Sequence, residues 1–341
     1  MQQLHVLYPT APIFTSVFDP TAVPAAVRTW DIRPSFLQRL PFITRYSRAM
    51  LPLMPLAFDR FDSEPYDVVI SVSAAFAKNL RPPGSGQTIC YCLTPPRYIW
   101  DMHADYVRGR LDRPLLDAMT GWLRRVDLAA AARVDQFIAI SETVAERVRR
   151  TYSRSASAIY PPVDCGWVRP NGEPPGDYYL VVSRLVRYKR IDLAIEACNQ
   201  LKRRLLVVGS GPERARLRGK AGPTIEFLGR CDDAEVAALY ARCKAFIFPG
   251  LEDFGITPVE AQAAGRPVIG FGLGGAAETV MDQITGVLFA EQSVEALIDA
   301  IRQLDCLSID PAACRANAMR FDASVFRERM SAAVEAAVNG G

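Results

Sequence analysis

The sequence predicts an α/β protein with two doubly wound parallel-sheet domains. Three observations predict it. From Tyr178 onward, short apolar runs alternate with helical stretches, as parallel strands joined by crossover helices do. A shorter series of such runs precedes residues 170–176, a Pro- and Gly-rich stretch that reads as a linker. The chain has 341 residues, half of them apolar, enough for a sizeable core in each of two domains.

In the first half, residues 4–9 end at a proline-bounded turn, and residues 14–18 are apolar and read as a short strand. Residues 30–61 mix apolar side chains with Arg33, Arg39, Arg45, Arg48 and Arg60. Two readings stand: a basic amphipathic surface for an anionic membrane, or helix packed on the core with its arginines solvated. Prolines at 34, 41, 52 and 55 break up any long helix there. Residues 66–73, 87–92, 134–140 and 157–160 read as strands. A helical region runs through 122–132, and Ser141 caps another helix. In the second half, strands fall at 178–183, 205–208, 225–228, 245–248, 268–270 and 287–289. Helices fall at 191–201, 212–218 and 232–242, and begin again at Ala276 and Val294. The chain from Pro311 onward is mostly helical, with Phe321 and Phe326 as anchors. The expected domains are residues 1–165, residues 166–310, and a helical segment 311–341.

Residues 249–265 are the stretch around which the second half is organised. Pro249 and Gly250 end the strand, and Glu252, Asp253, Phe254, Gly255 and Ile256 follow in a loop. Thr257 reads as the N-cap, Pro258 as the first helical residue and Glu260 as the third, which is a capping box. A helix N-terminus at the carboxyl end of a parallel strand is where open α/β sheets bind anions. Phosphate alone gains nothing from Glu252 and Glu260, whereas carboxylates accept from sugar hydroxyls. That favours a nucleotide sugar as ligand. The plainer alternative is a capping Glu260 and a solvated Glu252.

Arg184 and Lys189 follow the first strand of the second half. Two fixed cations there suit a diphosphate and the charge a leaving group gains; a solvated basic loop is the alternative. Gly209-Ser210-Gly211 resembles the start of a dinucleotide fingerprint, but Arg214 stands where its third glycine belongs. Glu226 lies near the place of a ribose-binding acid, which keeps a nicotinamide oxidoreductase as a third reading. The duller reading of the glycines is a tight strand-to-helix turn beside a nucleotide. Gly274-Gly275 opens another helix suited to a phosphate or sugar.

Composition excludes several classes. A net charge of +3 does not argue for nucleic acid. Eight cysteines are scattered without metal spacing and read as buried free thiols of a reducing cytoplasm. No run approaches the ~18 apolar residues of a membrane span, and Met1 to His5 lack the basic start of a signal peptide. The absence of Asp-x-Asp argues against a metal bridging a nucleotide diphosphate.

Taken in order, Arg184 with Lys189, Gly209-Ser210-Gly211-Pro212-Glu213, Phe227-Leu228-Gly229-Arg230 and Glu252 through Glu260 resemble glycosyltransferase family 4. The resemblance extends through residues 91–101 and 160–164, and so covers nearly the whole chain. It is nearest to the bacterial mannosyltransferases of O-antigen and exopolysaccharide assembly. It implies a GT-B fold, two facing Rossmann-like domains with the final helix crossing back to the first. It also implies retaining transfer of a hexose, mannose from GDP-mannose, to a lipid-linked oligosaccharide at the cytoplasmic membrane face. Neither metal nor other cofactor is expected.

Carried over by position, Arg184 and Lys189 would hold the diphosphate and Glu260 the ribose. Gly209 and Gly211 would flank the nucleotide, and the backbone of Gly229 and Arg230 would meet the base. Glu252, with Asp253 and the N–H groups of Phe254, Gly255 and Ile256, would hold the sugar. Catalysis would fall to Arg184, Lys189 and Glu252.

Two departures from the family pattern matter. Leu93 stands where relatives have a histidine lining the donor sugar. Relatives also begin with a strand and a Gly-Gly-x-Glu loop, and this chain starts near the end of the helix that follows. Strands 68–72 and 89–92 are therefore expected to lack backbone partners, unless residues 4–7 or an upstream start supply a strand. The rival functions are a degenerate, non-catalytic nucleotide-sugar-binding protein and a family 4 transferase using a UDP-sugar.

Overall fold

The computed structural model describes residues 1–40, 43, 50–80, 84, 86–101 and 113–339. The chain forms two compact units, Met1–Ile159 with Arg327–Gly341, and Tyr160–Phe326.

In chain order the first unit contains α1 (Gln2–Leu7), β1 (Ile13–Thr15), β2 (Ile32–Pro34), α2 (Met54–Asp59), β3 (Val68–Ser73), β4 (Gln87–Cys92), α3 (Arg113–Ala132), β5 (Gln136–Ala139), α4 (Glu142–Tyr152) and β6 (Ala156–Ala158). The strands β3-β4-β5-β6 form a four-stranded parallel sheet, and β1 pairs with β2 apart from it. Two expectations are corrected here. Residues 4–7 form helix, with only Leu4 of α1 buried, so they add no strand. Ile89 to Cys92 do not lack partners, because β4 pairs with β3 on one side and β5 on the other. Among the described strands β3 pairs only with β4, and its half-buried pattern is that of a sheet edge.

α4 shows how sequence makes these elements. Ser141 Oγ accepts from the Val144 N–H at 3.1 Å, and Val144, Val148 and Tyr152, spaced four apart, turn one face inward. Tyr152 meets a polar centre in this unit. Asp127 of α3 is fully buried and accepts from Trp100 Nε1 at 2.9 Å, from Tyr152 Oη at 2.8 Å and from Lys78 Nζ. Burial first, and the Asp127 charge next, hold the Tyr152 hydroxyl far above its ordinary pKa. Of the predicted basic surface, Arg39 is exposed beside exposed Phe36 and Leu40, while Arg45 and Arg48 lie outside the described residues.

The second unit contains β7 (Tyr178–Val182), α5 (Ile191–Leu201), β8 (Arg204–Val208), α6 (Arg214–Lys220), β9 (Ile225–Gly229), α7 (Asp233–Arg242), β10 (Ala245–Phe248), α8 (Ile256–Ala263), β11 (Val268–Phe271), α9 (Gly275–Thr279), β12 (Gly286–Phe289), α10 (Val294–Asp305), α11 (Pro311–Met319) and the start of α12 (Ala323–Asn339). Its six strands are parallel in the order β12-β11-β10-β7-β8-β9. Both faces are covered, so β10 is buried at every position and β7 nearly so, as near-continuous apolar runs predict. The chain winds outward from β7 in one direction and from β10 in the other. The order reverses between these neighbours, and it is outside the carboxyl ends of strands at such a switch point that open α/β sheets bind ligands.

Candidate active site

The loops leaving β7 and β10 meet at this switch point. The β7 loop carries Arg184 and Lys189. It is held by the adjacent turn at residues 209–211: the Leu185 N–H donates to Ser210 O, and the Glu213 N–H to Leu185 O, both at 3.0 Å. A Cβ on Gly209, where φ is +124°, would stand 1.9 Å from Ser183 O, and one on Gly211 would stand 2.3 Å from Leu185 O. These glycines let two loops touch, which fixes the segment carrying the cations. Arg184 is exposed. Lys189 is mostly buried and its ammonium pairs with the Glu252 carboxylate, which brings the two loops together through opposite charges. Glu226 lies inside β9 and pairs with Arg204 at 3.5 Å, away from the carboxyl end where a ribose-binding acid would sit.

The β10 loop is shaped from behind. Gly275 N–H donates to Glu252 O at 2.8 Å, and a Cβ on Gly275 would stand 1.7 Å from Phe254 O. Gly274-Gly275, read in the sequence as opening a phosphate or sugar site, forms the wall against which residues 252–254 are pressed. Phe254 is buried, stacked on Tyr160 with centroids 5.6 Å apart and set edge-on to Phe321 at 5.5 Å. Gly275→Ala is expected to displace this backbone, at a cost of about 1–3 kcal/mol for overpacking. Calorimetric melting would show it, and an unchanged melting temperature would refute the tight wall.

The capping box is also corrected. Gly255, at φ +95°, turns the chain early, so α8 begins at Ile256 and no side chain caps it. Its first turn keeps its N–H groups directed outward beside those of Phe254 and Gly255. Glu260 lies a full turn inside the helix and accepts at 2.9 Å from Tyr240 Oη of α7 instead of reaching back to a cap. Gly229 ends β9 at φ +79°, with open space where a Cβ would stand, and Arg230 Nε donates to Ser210 Oγ at 3.1 Å. Asp253 is half-buried in the β10 loop. The structure therefore brings Lys189 to Glu252 and Arg230 to the 209–211 turn. It adds Tyr240, which sequence reasoning missed, and gives Tyr160 and Phe321, already singled out in the sequence, a place against Phe254. The signal of Tyr240 was weak, since it falls within a helical stretch that reads simply as core.

Burial raises the Glu260 pKa above its ordinary value; the Asp233 charge adds to this and the Tyr240 hydrogen bond opposes it. The raised value means the folded state binds the proton more readily than the unfolded chain. The ionised carboxylate therefore costs stability at neutral pH, and the cost vanishes as pH falls through the folded pKa. Glu260→Gln is expected to melt at or above wild type at neutral pH. The difference should shrink under mild acid, and a neutral-pH melting temperature well below wild type would contradict this.

Residues 169–320 match the family model described as glycosyl transferases group 1. A GDP-mannose-dependent alpha-(1-6)-phosphatidylinositol monomannoside mannosyltransferase of Mycobacterium tuberculosis is 31% identical over 198 residues, 48% of this chain and 51% of that one. The chain spans between 26% and 54% of the length of the glycogen synthases it also matches. Among solved structures, the sucrose-phosphate synthase of Thermosynechococcus elongatus superposes with a TM-score of 0.76 at 20% identity, covering 100% of this chain and 92% of that one. Anabaena HepE in complex with UDP-glucose gives 0.66 at 17% identity, covering 92% and 90%. Such identities speak for the fold alone. The chain thus has the GT-B fold, and its residues 169–320 are similar to the glycosyl transferases group 1 family.

Proposed function

We propose that this chain is a retaining glycosyltransferase that moves mannose from GDP-mannose to a lipid-linked oligosaccharide in cell-surface polysaccharide synthesis. The observation that carries the reading is the convergence of Lys189 and Glu252 at the switch point, beside an uncapped helix N-terminus. A cation and backbone N–H groups suit the diphosphate, and a carboxylate suits the sugar hydroxyls. Arg184 and Lys189 hold the diphosphate and stabilise the charge it gains as the sugar C1–O bond breaks. Glu252, Asp253 and the N–H groups of Phe254, Gly255 and Ile256 hold the sugar, and Glu260 accepts from the ribose. Gly209 and Gly211 flank the nucleotide, while Gly229 and Arg230 meet the base. The acceptor oxygen forms the new bond to C1 from the same face, and its proton passes to the departing diphosphate. The reading requires no metal.

GDP-mannose is taken from the likeness to the GDP-mannose-dependent mannosyltransferase. The UDP-glucose bound to HepE supports a UDP-sugar as the second donor class. Half-buried Leu93, which can neither donate a hydrogen bond nor titrate, supports the other alternative, a protein that binds donor without turning it over. Among the described residues no helix is long and apolar enough to cross a membrane. The proposed contact with anionic lipid rests on the exposed surface around Arg39, with Phe36 and Leu40. Calorimetric titration with GDP-mannose and with UDP-glucose, followed by a donor-hydrolysis assay, tests the reading. The expected result is tighter binding of GDP-mannose, with turnover. Tighter UDP-glucose binding would replace the donor, binding without turnover would establish the non-catalytic alternative, and binding of neither would refute the site.

A further inference from the structure

Tyr240 is completely buried in α7, its ring set edge-on to Trp167 at 6.4 Å and tilted against Phe246 at 5.6 Å. A phenol held that way must find a partner for its hydroxyl, because burying it unpaired costs about 1–3 kcal/mol. The partner is Glu260 Oε2, at 2.9 Å and 20 residues away in sequence, across the β10 strand on α8. The other oxygen, Oε1, accepts no hydrogen bond from any described residue. Glu260 thus has one oxygen anchored and one left to accept.

We infer that Tyr240 is a positioning residue for donor binding: its hydroxyl fixes the plane of the Glu260 carboxylate so that the second oxygen meets the ribose hydroxyls of the nucleotide. This rests on the assignment of Glu260 to the ribose made under the proposed function. The geometry supports more than packing. Glu260 is only half-buried and its Oε1 is not closed off from solvent, so the anchored carboxylate presents that oxygen where a ligand can reach it. A carboxylate on a flexible side chain gives little discrimination between ligands, whereas one held by a rigid buried ring acts as a fixed acceptor. Tyr240 itself touches no ligand in this arrangement, since Glu260 stands between.

The test measures dissociation constants of GDP and of UDP, each against its analogue lacking both ribose hydroxyls, on the full chain. Wild type is expected to prefer the ribonucleotides. Tyr240→Phe should lower that preference roughly tenfold, equivalent to ~1.4 kcal/mol, while leaving affinity for the dideoxy analogues nearly unchanged. A merely structural tyrosine would weaken both ligands alike. If Tyr240→Phe melts below the assay temperature, para-fluorophenylalanine placed at position 240 fills the hydroxyl's space without donating, and the same ratio is read there. Glu260→Ala separates the two levels of the argument. If it abolishes the ribose preference and the Tyr240 variants keep it, the positioning role is overturned and the ribose assignment stands. If Glu260→Ala keeps the preference, the ribose assignment falls and takes the inference with it.

Discussion

Asp127→Ala is expected to cost the first unit about 3–5 kcal/mol, the range for removing one partner of a buried ion pair. Asp127 has no exposed surface and the Lys78 side chain is only 2% exposed, so nothing in water can replace the lost carboxylate. The substitution strands the Lys78 ammonium, the Trp100 indole N–H and the Tyr152 hydroxyl together. Among the described residues Lys78 keeps its hydrogen bond to Ala75 O at 2.8 Å and its place over the Tyr152 ring. Because whole domains have margins of only about 5–15 kcal/mol, the loss is a large share of the unit's stability. Replacing both charges, Lys78→Met with Asp127→Leu, should recover a large part, since the penalty lies in the unpaired charge and not in the absence of the pair. Urea denaturation followed by tryptophan fluorescence measures both variants. A shift below ~1 kcal/mol for Asp127→Ala would mean that the pair behaves as a surface ion pair does.

On the proposed function, Lys189→Ala is expected to lower turnover by about two to three orders of magnitude, ~3–4 kcal/mol, as for loss of a fixed group facing developing charge. The effect should exceed that on ground-state binding, because the diphosphate gains charge as the sugar leaves. The ion pair deepens the loss: without Lys189, Glu252 is left with an uncompensated carboxylate next to a polyanionic ligand. Glu252→Gln keeps hydrogen-bonding capacity and removes that charge. It should therefore lose less donor affinity than Lys189→Ala while still losing turnover. Steady-state kinetics with titrated donor separates the two constants. Equal turnover in wild type and Lys189→Ala would remove Lys189 from the reaction.

The parts of the fold visible in the sequence were those set by local pattern. The strands of both sheets and the Ser141 cap are written as runs of apolar residues and a single hydroxyl, whereas residues 170–176, which read as a linker, lie inside the second unit. Such signals depend on neighbours within a few residues, and a single chain carries them without tertiary help. Leu4 to Leu7 show the limit of that reading. Four residues, three of them apolar, suit a strand or a helix equally, and here they form helix α1.

The candidate site divides in the same way. By itself the sequence determined that Arg184, Lys189, Glu252 and Glu260 follow parallel strands or open a helix, because strand ends and glycine-rich turns are local events. Only the tertiary structure decided what those side chains touch. Lys189 and Glu252 are far apart in sequence and become partners because β7 and β10 are neighbours across the point where the strand order reverses. Glu260 reads locally as a capping residue, yet the left-handed turn at Gly255 moves the helix start and hands the carboxylate to Tyr240. Gly274-Gly275 reads as a glycine-opened helix start, and only the tertiary structure presses it against the backbone of residues 252–254. In each case the residue type fixed the chemistry available, and the approach of a segment distant in the chain fixed which group would use it.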